Sequence, residues 1–198
     1  MTRYVRRFSR TERLLHWANA VGFFFLLASG LALYLPSVEV WLGRRPLVQD
    51  VHFYAGLAWI GVLVLIVLLG DRRGLLRTAR ELDAFDRDDL RWLAGRRPAP
   101  QGRFNAGQKI NTAITAALTL LFLCSGVLLW LGERDTRFRF ASTVILHDGL
   151  MYISLGLLVG HLYLAVIHPA TRHALRGITV GTVNEEWATH HHPKWKPE

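Results

Sequence analysis

The sequence predicts an all-α membrane protein, a single domain over 1–198 built as a bundle of four transmembrane helices. Hydrophobic residues make up 51% of the 198 residues, and they are gathered into four blocks that can each cross about 30 Å of hydrocarbon as a helix. The 24 Lys and Arg residues flank these blocks, so the net charge of +9 indicates membrane topology and argues against nucleic-acid binding. The spans are predicted at about 17–35, 51–70, 110–131 and 143–167.

Each span follows from the sequence of its own block. The first, WANAVGFFFLLASGLALYL, is followed by Pro36, and the fourth, TVILHDGLMYISLGLLVGHLYLAVI, is followed by Pro169. Proline does not continue a helix, so both ends are marked. The second and third blocks, VHFYAGLAWIGVLVLIVLLG and INTAITAALTLLFLCSGVLLWL, are long apolar runs. The only cysteine, Cys124, lies in the third block, which excludes an internal disulfide and a cysteine-ligated iron–sulfur cluster.

The loop 71–109, between the second and third spans, carries structure of its own. Its apolar residues recur at near-helical spacing among many charges, at Leu75, Leu76, Ala79, Leu82 and Phe85. This pattern predicts an amphipathic helix at the membrane surface. The segment RRPAPQG, which comes after it, is typical of a turn.

Basic residues are distributed unequally between the two sides of the predicted bundle. Lys and Arg number 5 in 1–15, 10 in 71–109 and 4 in 168–198, but only 2 in 36–50 and 3 in 132–142. The positive-inside rule therefore places both termini and the 71–109 loop in the cytoplasm. We expect a multi-pass protein of the bacterial inner membrane.

Four histidines lie inside the spans or at their ends, where an ionisable side chain is costly and marks a function. His147 and His161 are fourteen residues apart, which is roughly 1400° of helix, so they point the same way about 21 Å apart along the axis. In the predicted topology His52 lies at the depth of His147, near the outer face. His16 lies at the depth of His161, near the cytoplasmic face.

Two pairs of histidines at two depths are the arrangement that two stacked b-type haems require, each iron held by imidazoles from two facing helices. A zinc ion shared by His147 and His161 is excluded, because metal–nitrogen bonds are only about 2 Å long. For any single histidine, a hydrogen bond to a neighbouring helix is the alternative interpretation. The remaining histidines are expected at the membrane surface or facing solvent or a partner: His168, His173, His190, His191 and His192.

Four stretches of the sequence resemble the cytochrome b (gamma) subunit of membrane-bound respiratory formate dehydrogenases, in the wider family of hydrogenase-type b cytochromes. They are RYVRRFSRTERLLHW before the first span, FNAGQKIN at 104–111, HDGLMYISLGLLVGHLYLAVIHP in the fourth span, and the ending GTVNEEWATHHHPKWKPE. The likeness covers essentially the whole chain. FNAGQK and the ending favour formate dehydrogenase over hydrogenase.

The resemblance implies a set of haem ligands and an electron path. His52 and His147 would hold the outer haem b, and His16 and His161 would hold the inner one. Electrons would arrive from an iron–sulfur beta subunit on the outer side. That subunit would receive them from a molybdenum- or tungsten-containing alpha subunit, so this chain would carry electrons in anaerobic respiration without oxidising formate itself.

The resemblance also implies a quinone, menaquinone or ubiquinone, that is reduced near the inner haem at Asn105, Gly107 and His161. An Asn side chain and free backbone N–H groups at a helix start can donate to a quinone carbonyl. Asn is also a good helix cap, so both interpretations of Asn105 stay open. Gln108 and Lys109 are candidate proton relays.

Membrane lipid, the two other subunits, the quinone and further copies of the complex are the expected partners. Two other functions stay open on the sequence. One is the same architecture serving a nickel–iron hydrogenase or another quinone-reducing oxidoreductase. The other is a haem-free membrane anchor or proton-relay protein, although such a relay usually needs carboxylates at membrane depth and only Asp148 lies there.

Overall fold

The computed structural model describes residues 3–38 and 43–197, and it contains four long helices. They are α1 (Arg10–Tyr34), α2 (Arg45–Leu69), α5 (Ala106–Arg134) and α6 (Ala141–Leu162), the last continued by a π-helical turn at Tyr163–Ile167. Each is long and apolar enough to cross a membrane. The four predicted spans are therefore confirmed as helices, while part of the predicted outer loop 36–50 lies outside the described residues.

All four long helices begin earlier than predicted, and at two of them polar caps start the helix ahead of the apolar block. Helix α1 follows Ser9, whose Oγ accepts the N–H of Glu12 at 3.2 Å. The Glu12 carboxylate accepts the N–H of Ser9 in return at 2.7 Å, which completes a capping box. Helix α5 likewise begins at Ala106, directly after Asn105.

The amphipathic helix predicted in the 71–109 loop is present as two helices, α3 (Arg72–Asp83) and α4 (Arg87–Leu93). Asp71 caps α3 by accepting the N–H of Gly74 at 2.9 Å. Asp86 caps α4, where its side chain accepts the N–H groups of residues 88 and 89. The apolar side chains of Leu76, on α3, and Phe85, between the two helices, are exposed, as expected of an amphipathic segment that meets a membrane surface.

A two-stranded antiparallel sheet pairs β1 (Tyr4–Arg6) with β2 (Thr182–Asn184), with Val5 opposite Val183. It was not predicted, because each strand has three residues and is too short to show an alternating pattern. Two short helices flank β2, α7 (Leu175–Thr179) and α8 (Glu185–His191). Val5, Val183 and Ala188 form a small buried apolar cluster around the sheet.

The chain divides into two compact units. The first comprises Met1–Arg13, Leu69–Ala116 and Gly156–Glu198, and it holds the sheet, the loop helices and the C-terminal tail. The second comprises Leu14–Leu68 and Ala117–Leu155, and it holds most of the long helices.

Burial in the second unit has the pattern of a protein in lipid. Large apolar side chains lie outside, with Leu65 54% exposed and Ile145 73% exposed, while Ser125 is 1% exposed. Helices α1 and α2 approach closely where Gly22 lies against the indole of Trp59, and a Cβ at Gly22 would overlap that ring. Small residues permit such close contact between membrane helices.

The first unit is held together by buried polar side chains from distant parts of the chain. Arg103 donates to the Glu12 carboxylate at 3.0 Å and to the backbone carbonyl of Arg7 at 3.0 Å. Arg7 donates to the carbonyl of Arg103 at 2.8 Å and to the ring of His192 at 3.2 Å. The expectation that His192 faces solvent or a partner is therefore wrong: it is 2% exposed.

His192 is held as a neutral imidazole. Its Nδ1 lies 2.6 Å from the carbonyl oxygen of Gly102, which can only accept, so Nδ1 carries the proton and Nε2 accepts from Arg7. Burial, followed by the charge of Arg7, lowers the pKa of His192 from 6.5 to about 3. Protonation of the His192 ring would place its positive charge next to that of the Arg7 guanidinium.

This pKa predicts a loss of stability in mild acid. Between pH 6.5 and 3 the unfolded chain binds a proton at His192 that the folded chain does not, so the contribution is complete above 6.5 and decreases as the pH falls. At pH 5 the loss relative to neutral pH amounts to about 2 kcal/mol. Thermal unfolding in detergent at pH 7.5 and 5, followed by Trp fluorescence, measures it. His192→Gln should shrink the difference between the two pH values and the control His173→Gln should not; an unchanged difference in His192→Gln would contradict the prediction.

Candidate functional site

Two of the predicted histidines face each other inside the second unit. His52 comes from α2 and His147 from α6, and their ring centroids are 6.3 Å apart with the ring planes at 76°. Two imidazoles bound to one metal at about 2 Å each have centroids roughly 6 Å apart, once about 1 Å from nitrogen to ring centre is added on each side. The two rings are therefore spaced to bind one metal from opposite sides.

A serine lies against the Nδ1 atom of each of these rings. Ser29 Oγ is 2.8 Å from His52 Nδ1, and Ser125 Oγ is 2.8 Å from His147 Nδ1. Because Nδ1 of each ring is engaged by protein, Nε2 is the nitrogen left to bind a metal. Sequence reasoning did not find these serines, although the dipeptide Ser-Gly at 29–30 and again at 125–126 was a visible sign.

The two histidines line a cavity of about 580 Å³ enclosed by α1, α2, α5 and α6 in the second unit. This volume is in the range of cofactor and ligand pockets, and most of the lining side chains are apolar or aromatic. Gly30 and Gly126 leave room beside the rings, because a Cβ there would lie 3.3 Å from His52 Cε1 and 3.6 Å from His147 Cε1. Charged side chains of Arg45, Glu133 and Arg139 also reach the cavity wall.

The chemistry of this donor set fits a haem better than a bare metal ion. A structural zinc site needs about four protein ligands. Across residues 3–38 and 43–197, no group of three or more His, Cys, Asp or Glu side chains is placed to hold a metal ion. Haem brings four equatorial nitrogens of its own and needs only two axial imidazoles, in an apolar cavity.

The other two predicted ligands fall in different units. His16 belongs to the second unit, on α1, where its ring stacks on Trp17 with centroids 5.3 Å apart. His161 belongs to the first unit, near the C-terminal end of α6. Their pairing stays a prediction from the sequence.

The segment predicted to bind quinone lies in the first unit, where it starts α5. Asn105 Oδ1 accepts the N–H of Gln108 at 2.9 Å, and Gln108 Oε1 accepts the N–H of Asn105 at 3.0 Å. The capping role of Asn105, one of its two predicted roles, is thus present in the structure. At Gly107 a Cβ would lie 3.1 Å from the Trp92 ring, so the backbone there is in close contact with α4.

Lys109, a candidate proton relay, is engaged in a buried ion pair. Its Nζ lies 2.7 Å from the Asp89 carboxylate and donates to the carbonyl of Ala84, also at 2.7 Å. Lys109 is 8% exposed and Asp89 is 2% exposed. The pair ties the start of α5 to α4 and to the end of α3.

The chain is similar to a known family and to several known proteins. Residues 7–181 match the family model described as prokaryotic cytochrome b561. The chain is 26% identical to the cytochrome b556(fdo) subunit of formate dehydrogenase from Escherichia coli K12, over 97% of this chain and 92% of that protein. It is 23% identical to the cytochrome b556(Fdn) subunit of the nitrate-inducible formate dehydrogenase of the same strain, over 94% and 88%. The formate dehydrogenase cytochrome b556 subunit of Haemophilus influenzae is 24% identical, over 100% and 84%. Because the family model covers most of its length, the chain belongs to the prokaryotic cytochrome b561 family.

Proposed function

We propose that the chain is the dihaem cytochrome b membrane anchor of a respiratory formate dehydrogenase. The observation that carries the proposal is the His52–His147 pair, with rings 6.3 Å apart in an apolar cavity and Nδ1 of each ring held by a serine. Membership of a b-type cytochrome family supports haem b as the cofactor. The relatives, which are formate dehydrogenase subunits by name, support formate dehydrogenase as the assembly.

The outer haem is held by His52 and His147, and the inner haem by His16 and His161. The second pair is supported by the sequence: the fourteen-residue spacing of His147 and His161 on one helix places two ligands on one face at two depths. With both axial positions occupied by imidazole, a haem supplies one-electron transfer and leaves no position for a substrate at the iron. The chain provides the position and the environment of each group.

Direction across the inner membrane comes from the distribution of charge. The basic segments 1–15, 71–109 and 168–198 support an orientation with both termini in the cytoplasm. Electrons then arrive from an iron–sulfur subunit on the outer side, fed by the subunit that oxidises formate on molybdenum or tungsten. They leave on the cytoplasmic side to a quinone that takes its protons from the cytoplasm.

The quinone is bound at the start of α5 by Asn105 and Gly107, near His161. All three residues belong to the first unit, which supports a common site. The first backbone N–H groups of a helix have no partner within it and can donate to a carbonyl oxygen. Asn105 Oδ1 is engaged in the cap, so the NH2 group of the side chain is the donor that suits a quinone carbonyl.

Haem content tests the proposal. The complex is purified in detergent through a tag on this chain, its dithionite-reduced minus oxidised spectrum is recorded, and haem per polypeptide is assayed as the pyridine haemochrome. We expect two haems b per chain, reducible by formate and reoxidised by a quinone analogue. A folded chain without haem would leave the proton-relay alternative, and a nickel–iron subunit in place of the formate-oxidising one would show that the donor is wrong.

A further inference from the structure

We propose that Ser29 and Ser125 are positioning residues of the outer haem site, which fix the tautomer and ring plane of His52 and His147 and thereby set the reduction potential of that haem. The inference rests on the proposed function, because it takes the two histidines as axial ligands. It concerns two residues on helices that supply no ligand to this site, α1 and α5.

The direction of each serine–histidine hydrogen bond follows from where the hydroxyl proton goes. Ser29 Oγ donates to the carbonyl of Phe25, at 3.0 Å, one turn earlier in α1. Ser125 Oγ donates to the carbonyl of Leu121, at 2.7 Å, one turn earlier in α5. A hydroxyl has one proton, so with that proton on the carbonyl its lone pair accepts from the imidazole. On this basis we assign the proton of each ring to Nδ1.

That tautomer is the one an axial ligand needs. With Nδ1 protonated and hydrogen-bonded, the lone pair of Nε2 is free to bind iron, as in other metal sites where a partner beyond the ligand fixes the ring. Both serines use the same chemistry at the same distance, 2.8 Å, on two different helices. The repetition indicates that the arrangement is part of the site rather than an accident of one helix.

The glycine after Ser29 lets the His52 ring approach more closely than an alanine would. A Cβ at Gly30 would lie 3.3 Å from His52 Cε1, closer than ordinary packing, whereas one at Gly126 would lie 3.6 Å from His147 Cε1, an ordinary contact. Each Ser-Gly dipeptide thus presents a hydroxyl to Nδ1 and an open surface to the neighbouring carbon. Together they hold each imidazole in one plane, and the two planes meet at 76°.

A hydrogen bond accepted from Nδ1–H makes the imidazole a stronger base, which favours ferric over ferrous iron. The serines therefore lower the potential of the outer haem. Loss of either hydroxyl should raise that potential and leave the inner haem unchanged. The ferric low-spin electron paramagnetic resonance (EPR) signal of the outer haem, which depends on the ligand planes, should shift at the same time.

The test uses the whole detergent-purified complex with Ser29→Ala, Ser125→Ala and both together. Redox titration followed in the visible spectrum, with EPR of the oxidised state, reports each haem separately. We expect one potential to rise in each single variant and to rise further in the double variant. Ser29→Thr, which keeps a hydroxyl at a half-buried position, should restore the wild-type potential. Thr112→Val is the matched control, because that hydroxyl also donates to a carbonyl one turn earlier in its own helix, Gln108 O at 2.9 Å, but does not line the cavity.

Glycine variants give a second measure that does not depend on removing a hydroxyl. Gly30→Ala should displace the His52 ring and change the EPR signal, and Gly126→Ala should change it less. If Ser29→Ala loses the outer haem altogether, retention of that haem and its potential by Ser29→Thr supports the positioning role.

The outcomes separate the two proposals. If the wild-type complex has no haem, or if His52→Ala leaves both haems in place, the haem assignment is wrong and this inference is overturned with it. If His52→Ala removes one haem but both serine variants keep wild-type potentials and EPR signals, the ligand assignment stands and the role of the serines is overturned.

Discussion

His147→Ala is expected to halve the haem content of the complex and to stop electron transfer from formate to quinone. The ring of His147 lies 6.3 Å from that of His52, and alanine leaves one imidazole where two are needed. Haem with one axial imidazole should bind far more weakly than haem with two. Loss of a residue that only supports a metal ligand already lowers metal affinity by roughly 10-fold to 100-fold. The pyridine haemochrome assay and the reduced-minus-oxidised spectrum measure the loss.

If the proposed assignment of two haems is right, His161→Ala should stop electrons at a different haem from His147→Ala. In this variant the outer haem should still be reduced by formate but should not be reoxidised by a quinone analogue. In His147→Ala, by contrast, the remaining haem should be reduced by quinol but not by formate. Single-turnover reduction from each end, followed in the visible spectrum, distinguishes the two variants.

His173→Ala is the control, because this histidine lies in the polar tail between α6 and α7. It should keep both haems and full turnover. Two haems retained in His147→Ala would contradict the ligand assignment at the one pair whose side chains the structure brings together. If formate and quinol each reduce the remaining haem equally well in both variants, the proposed order of the haems is contradicted.

The parts of this fold that follow from local pattern could be predicted, and the parts that depend on contacts between distant residues could not. The four spans are long apolar blocks, so their existence follows from composition alone. His52 and His147 were assigned to one depth by counting residues from the ends of their spans, and the structure places their ring centroids 6.3 Å apart. Depth in a membrane is a one-dimensional quantity that a sequence carries directly.

The sequence does not show so directly how far a helix is rotated about its own axis, and therefore which of its residues face a neighbouring helix. Ser29 and Ser125 matter because each faces a histidine on another helix, and a serine bonded back to its own helix is common in any apolar span. His192 shows the same limit in the tail. Its neighbours in sequence are polar and predicted exposure, while its burial depends on Arg7, which lies 185 positions away.

Lys109→Met is expected to destabilise the first unit by about 3 to 5 kcal/mol, because it leaves the Asp89 carboxylate buried without its partner. The two side chains are 2.7 Å apart, and both are buried. Asp89→Leu should destabilise similarly through the unpaired Lys109. Thermal unfolding of the detergent-purified complex, followed by retention of haem absorbance and of quinone reductase activity, measures both.

Arg91→Ala is the matched control for the loss of an ion pair. Arg91 lies 3.4 Å from Asp88, but its side chain is 56% exposed, so the pair is screened by solvent and its loss should cost less than about 1 kcal/mol. An equal loss of stability in Arg91→Ala and Lys109→Met would show that burial of the Lys109–Asp89 pair is not the cause.

The double variant Lys109→Met with Asp89→Leu decides between a structural and a proton-relay role for Lys109. Replacing both members of a buried pair by apolar residues of similar size is often nearly neutral, so most of the stability should return. A loss of about 1 kcal/mol should remain, because Asp89 Oδ2 also accepts the backbone N–H of the cap residue of α4 at 3.0 Å, in the capping box of that helix. If Lys109 acts by docking α4, and with it Trp92 against Gly107, quinone reduction should return together with stability. Recovery of stability with quinone reduction still absent would instead place Lys109 on the proton path. We expect both to recover, because the ammonium group is already committed to Asp89 and to the carbonyl of Ala84.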